Sequence, residues 1–199
     1  MINSVKHNRF TFQGRRIGLI GLGPRNGTTH IALSTANYLS DCYKKKVCLI
    51  EQNTHNDFNL FREYLNIKGD SPDFTYHRVS YYPGGNSGES LSRLSSSYDC
   101  TVFDLGSSFQ PAMATLELCD IRIAVGTGAP WRDDEYTYLE ELIRGMDDLS
   151  SWILFINLGS EKQVKYYRNI GIPTYSFPLE YDPFCPHDAT QNILTKALI

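Results

Sequence analysis

Apolar residues in this chain fall alternately into short continuous runs and into longer stripes at helical spacing. Runs at 16–22, 47–51, 99–105, 121–125, 152–157 and 173–177 read as buried strands, and the alternating segment 75–80 as one more. Segment 28–40 puts Ile31, Ala32, Thr35, Ala36 and Leu39 on one helical stripe. Segment 131–146 does the same with Leu139, Leu142, Ile143 and Met146. Further helices are predicted at 58–65, 90–97, 111–118 with Pro111 at its start, 161–169 and 188–198. Pro83-Gly-Gly-Asn-Ser-Gly88 is a loop. Strands alternating with helices imply an α/β fold of three layers, α/β/α, around a mostly parallel sheet of about seven strands. With no repeat and no linker composition, 1–199 reads as a single domain in which 1–14 is an N-terminal extension.

In such sheets ligands bind at the carboxyl ends of the strands, so the residues that follow the strands carry the chemistry. The first strand runs into Gly21-Leu-Gly-Pro-Arg-Asn-Gly27, and a helical pattern follows from Thr28. Glycines permit a tight turn whose successive amides point at one anion, and Thr29 stands where a phosphate-binding loop places its Mg²⁺ hydroxyl. Two other readings use the same residues. One is a plain strand-to-helix turn capped by Thr28 or Thr29. The other is a dinucleotide motif built on Gly21, Gly23 and Gly27, with Glu51 closing the second strand. A later strand ends Asp104-Leu-Gly106, which is how an NTPase presents a Mg²⁺-orienting carboxylate and a glycine to the γ-phosphate.

The ordered set of segments resembles the MinD/ParA superfamily of deviant P-loop ATPases from Arg16 to about Ala197. The family loop Lys-Gly-Gly-x-Gly-Lys-Thr-Thr matches Gly23-Pro-Arg-Asn-Gly-Thr-Thr-His30. Val47-Cys-Leu-Ile-Glu51-Gln-Asn53 is similar to the strand ending Asp-x-Asp, and Asp99-Cys-Thr-Val-Phe-Asp104-Leu-Gly106 to the family's Asp-x-Gly strand. Cys119-Asp120 matches the family's Cys-Asp. Phe155-Ile-Asn157 and the stretch from Pro173 to Pro178-Leu-Glu-Tyr-Asp182-Pro resemble the two adenine-side segments. The resemblance implies a P-loop NTPase fold. It also implies a nucleotide site made of Gly23, Arg25, Asn26, Gly27, Thr28, Thr29, Glu51, Gly106, Asn157, Pro178 and Asp182. Thr29 and Asp104 would hold Mg²⁺, and Asp104 would orient the catalytic water.

Both family lysines are absent: the in-loop position is Thr28 and the signature position is Gly23. Pro24 removes one amide donor, and Arg25 either points to solvent or replaces the lost charge. One missing charge-assisted contact costs about 1.5–3 kcal/mol, and a missing transition-state donor about 10²–10³ in rate. The expectation is a pseudo-ATPase that holds ATP and Mg²⁺ weakly or binds no cofactor. The alternative is an active switch ATPase in which Arg25 replaces the lysine. Relatives position division, partition, pilus or secretion machinery, and the pilus-localising TadZ branch includes degenerate members. Protein partners and a homodimer are therefore implied.

Composition narrows the partners. A net charge of −3 and a pI near 5.9 argue against DNA binding, and Lys162, Lys165 and Arg168 read as a solvated helix face. Lys44-Lys-Lys46 complements the end of the first helix. Arg132-Asp-Asp-Glu135, Glu140-Glu141 and Asp147-Asp148 make the outer face of the 131–146 helix acidic. Phe109 and Met113 fall in the family's switch region or in the core. Five cysteines without metal spacing suit reduced, mostly buried thiols and a cytoplasmic location. No signal core, no transmembrane run of roughly 20 apolar residues and no membrane-targeting tail is expected.

Overall fold

The computed structural model describes residues 13–69, 71–84, 97–144 and 149–199. Eight strands form one sheet in the order β3-β4-β2-β5-β1-β6-β7-β8. They are β1 (Arg15–Gly21), β2 (Val47–Glu51), β3 (Phe74–Tyr76), β4 (Val79–Tyr82), β5 (Cys100–Asp104), β6 (Ile121–Thr127), β7 (Trp152–Asn157) and β8 (Thr174–Phe177). All neighbours are parallel except β3 with β4. The helices are α1 (Thr28–Tyr43), α2 (Asp57–Tyr64), α3 (Phe109–Glu117), α4 (Glu135–Arg144), α5 (Glu161–Asn169) and α6 (Asp188–Leu198).

The strand expected at 75–80 is instead a hairpin. His77 and Arg78 both adopt left-handed backbone, with φ of 44° and 67°, and turn β3 back along β4. Such two-residue turns usually carry Asn or Gly, and without those residues the segment reads as unbroken. That makes eight strands rather than about seven. The helix expected at 131–146 divides into a 3₁₀ turn at Pro130–Arg132 and α4, and its last residues lie outside the described ones. Nearly all of the helix expected at 90–97 also lies outside them.

The sheet separates two apolar layers. Ile17, Leu19, Val47, Leu49, Val102 and Phe155 face α1, α2 and α6. Ile20, Cys48, Ile50, Phe103, Leu154 and Ile156 face α3, α4 and α5. This follows from the period-two alternation of strand side chains, and each fully buried Leu, Ile or Phe contributes about 1.5–3 kcal/mol. Phe109 is buried and Met113 packs against the second layer, so both belong to the core. All five cysteines are free, with Cys48, Cys100 and Cys119 buried and Cys42 and Cys185 exposed. Burial pushes the thiol of Cys48 up to about 11 and that of Cys119 up to about 12. Among the described residues no helix is long and apolar enough to cross a membrane.

Strand β1 lies between β5 and β6, where the strand order switches from one half of the sheet to the other. The crevice beyond its carboxyl end is where such a sheet binds ligands.

Candidate phosphate-binding cleft

Beyond β1 the chain turns tightly into α1. Gly27 takes φ 86°, and no side chain caps the helix. The capped-turn reading therefore fails: neither Thr28 nor Thr29 closes the helix end, and the first amides of α1 remain available to an anion. A cleft of about 500 Å³ opens over this turn, lined by Gly23, Arg25, Asn26, Gly27, Thr28, Thr29, His30, His55, Asp57, Gly106 and Ser107. Seven of the residues expected at the nucleotide thus come together: the loop from Gly23 through Thr29, without Pro24, and Gly106.

Thr28 fills the in-loop lysine position but is buried. Its hydroxyl lies 2.6 Å from where a Cβ on Gly21 would stand, so the side chain packs beneath the loop. At the signature lysine position, the space a Gly23 side chain would enter is held by Glu135, whose Oε1 is 2.2 Å from that Cβ site. A carboxylate therefore stands where relatives extend an ammonium.

Glu135 is also part of a clamp on the loop. It accepts from Asn26 Nδ2 at 2.9 Å and from Arg132 Nε at 2.6 Å. Arg132 in turn donates to the Pro24 carbonyl at 2.6 Å. Asn26 Nδ2 also reaches the Val125 carbonyl at 3.3 Å, and Asn157 donates to the Asn26 carbonyl. In the acidic stretch 132–135, expected on the outer face, Asp133 and Asp134 are exposed, whereas Glu135 is turned onto the loop and its side chain is only 15% exposed.

Arg25 is exposed and lines the cleft, with no hydrogen-bond or ion-pair partner among the described residues. Its φ of 62° is the left-handed conformation that glycine adopts without strain, which fits its place in a loop position that is glycine in relatives. Asp104 is fully buried. Its Oδ1 accepts from the Gly106 amide at 3.2 Å, while Oδ2 has no partner. Burial raises its pKa, against the pull of the Thr29 hydroxyl and the Gly106 amide.

The remaining predicted residues stand apart from this lining. Glu51 is buried and accepts from the Asp57 amide at 2.6 Å and the Gly84 amide at 3.4 Å, so it holds the start of α2. Burial raises its pKa despite those bonds. Asn157 is occupied by the loop carbonyl. Pro178 is half-buried after β8, and exposed Asp182 accepts from the Phe184 amide at 3.0 Å. Lys162, Lys165 and Arg168 are exposed, as expected of a solvated helix face, and Arg168 also donates to the Thr174 carbonyl at 2.7 Å and lies over Tyr175.

Sequence reasoning missed His30, His55, Asp57 and Ser107. The one signal for Asp57 was an acidic residue opening the short helix after β2.

The cleft suits Mg²⁺ in part. Thr29 and the unpartnered Asp104 oxygen are hard oxygen donors, and among the described residues no cluster of three or more His, Cys, Asp or Glu completes a cage. A bound Mg²⁺ would neutralise phosphate charge, with the nucleotide and water supplying its other positions.

Solved structures decide the fold. The chain matches a ParA family ATPase from Chlorobium tepidum TLS with a TM-score of 0.62 and 16% identity, over 93% of this chain and 90% of the other. The chain has the ParA/MinD ATPase fold. The putative plasmid partition protein of Borrelia burgdorferi bound to AMPPNP matches with a TM-score of 0.63 and 17% identity, over 92% and 98%. MinD from Aquifex aeolicus matches with a TM-score of 0.64 and 16% identity, over 92% and 95%. No protein-family model and no curated protein matches this chain by sequence.

Proposed function

We propose that this chain is a degenerate ParA/MinD-fold protein that binds ATP or ADP weakly with Mg²⁺, hydrolyses ATP poorly or not at all, and acts in the cytoplasm through protein partners. Its role is that of a localisation, partition or assembly factor, for pilus, secretion or partition machinery, working as a homodimer. The observation that carries this reading is the state of the two lysine positions. Thr28 packs under the loop, and Gly23 lies against the Glu135 carboxylate. Loss of one charge-assisted contact weakens binding about ten- to a hundredfold, and hydrolysis suffers more because its transition state gathers more charge. The partner role draws support from neighbours in the same fold, among them a plasmid partition protein and MinD in a MinC:MinD cell division complex.

A second reading, an active ATP switch, draws on one specific observation: Arg25 lines the cleft and has no other partner among the described residues. Calorimetric titration with ATP and ADP in Mg²⁺, together with a phosphate-release assay, separates the two. The pseudo-ATPase reading expects millimolar or undetectable ATP binding, no turnover, and at least about tenfold tighter binding in Thr28→Lys. Micromolar ATP binding with turnover, both lost in Arg25→Ala, would establish the switch instead.

A further inference from the structure

A second cavity, of about 290 Å³, lies at the other end of α1 and is lined by Ser40, Lys44, Lys45, Lys46 and Arg78. We propose that it is an anion site that takes one dianionic phosphate group, carried by a small molecule or by a lipid headgroup. The site does not depend on the nucleotide reading, because the 16 residues of α1, about 24 Å of helix, separate it from the cleft.

Four of the five lining residues are cationic, in a chain whose net charge is −3. The sheet brings them together from separate parts of the sequence. Strands β2 and β4 are parallel neighbours, with Val47 beside Val79. Lys46 and Arg78 each precede one of those two residues, so they enter the sheet side by side at the amino ends of the strands. Lys44 closes α1 next to them.

Left-handed backbone gathers at the same place. Lys44 has φ 53°, His77 φ 44° and Arg78 φ 67°. Glycine would take these turns without strain, yet a lysine and an arginine occupy two of them. Strain of this kind collects at binding sites.

Neutralisation within the fold does not use up these cations. The end of α1 carries about half a negative charge. Asp41 meets Arg78 at 3.7 Å, with side chains 41% and 65% exposed, which makes a loose surface pair. Asp99 accepts the Lys46 amide at 2.8 Å, and Lys46 lies 4.8 Å over the Tyr98 ring. Among the described residues neither Lys44 nor Lys46 pairs with a carboxylate. With both acids and the helix end counted, a surplus of about one and a half positive charges remains. A phosphate monoester carries about −1.5 to −2 at neutral pH and matches that surplus, whereas a carboxylate or a phosphodiester brings a single charge. The fork of Arg78 and the ammonium groups of the lysines are the donors such a group requires. The cavity is at the small end of ligand sites, so it admits the phosphate and little of what carries it.

The test is titration of the ¹⁵N-labelled protein with inorganic phosphate at neutral pH and low salt, read from amide chemical shifts. Wild type, Lys44→Gln/Arg78→Gln and the remote surface variant Lys162→Gln are compared. Saturable shifts of the Lys44, Lys45 and Arg78 amides at submillimolar phosphate are expected in wild type and Lys162→Gln, with affinity at least about tenfold lower in the double variant. Both replaced residues are exposed, and the unchanged spectrum away from the pocket checks that the double variant folds. Absence of saturation, equal affinity in the double variant, or shifts confined to Gly23–Thr29 overturns the site. Equal weakening in Lys162→Gln marks diffuse attraction and overturns it as well. Co-sedimentation with phosphatidylcholine vesicles, with and without phosphatidic acid, then separates the two sources. Binding to the acidic vesicles that inorganic phosphate displaces, and that the double variant loses, supports a lipid headgroup. Saturable phosphate binding without vesicle binding supports a soluble molecule and overturns the lipid source.

Discussion

Removal of the Glu135 carboxylate is expected to loosen the Gly21–Gly27 loop without disturbing the sheet. Its oxygens receive Arg132 Nε at 2.6 Å, the Arg132 terminal nitrogen, and Asn26 Nδ2 at 2.9 Å. The two side chains of the ion pair are 15% and 25% exposed. Breaking a buried pair on one side costs about 3–5 kcal/mol. The exposed part of Arg132 lets water take over some of that charge, which brings the cost to about 1.5–3 kcal/mol, the range for hydrogen bonds to charged groups. With a urea slope of about 2 kcal/mol per molar, Glu135→Ala lowers the unfolding midpoint by about 1 M. Arg132→Ala costs a similar amount, since it also releases the Pro24 carbonyl. In the double variant the shared interaction is lost only once, so a double-mutant cycle yields a coupling of about 1–2 kcal/mol. Additive single effects would refute the clamp. So would a Glu135→Ala midpoint equal to that of wild type.

Gly23→Ala would place a methyl group 2.2 Å from Glu135 Oε1. A loss of about 1–2 kcal/mol is expected, smaller in a Glu135→Ala background, and paired thermal melts check it. Arg25→Gly relieves left-handed strain, so stability rises by about 1 kcal/mol, while calorimetry shows weaker Mg²⁺-ADP binding. Glu180 has an ordinary value of 4.5. Burial raises it, but the His187 and Asp182 amides and the His187 ring outweigh that and hold it at about 2. Because the folded value lies below the unfolded one, its stabilisation is complete above about pH 4.5 and disappears as pH falls toward 2. Glu180→Gln is expected to lose about 2–3 kcal/mol at pH 7, a gap from wild type that narrows below about pH 4.5 and closes only below about pH 2 in urea titrations.

The parallel strands were legible because each is a buried apolar run of the right length between polar segments. Asp104 and the Gly21–Gly27 turn were legible because a strand end and a glycine-rich loop are local signals. The β3–β4 hairpin was not, because His77 and Arg78 adopt a turn conformation their residue types do not advertise. The clamp was equally invisible. Glu135 looks like any surface acid until folding brings α4 against a loop more than a hundred positions earlier in the chain. The role of Glu51 shifted for a related reason. Its place at a strand end was readable, but its partner amides come from α2 and from Gly84, whose positions only the three-dimensional packing sets.

The residues that shape the Gly21–Gly27 loop also impose an order on its assembly. Asn26 is held by Val125, Glu135 and Asn157, at separations of 99, 109 and 131 residues. The loop emerges from the ribosome before β6, α4 and β7, which supply its clamps. A nascent chain cut before β7 carries the whole glycine-rich motif and lacks part of its frame. The loop's final shape is therefore among the last features the growing chain acquires, and it reports that the far half of the sheet has closed.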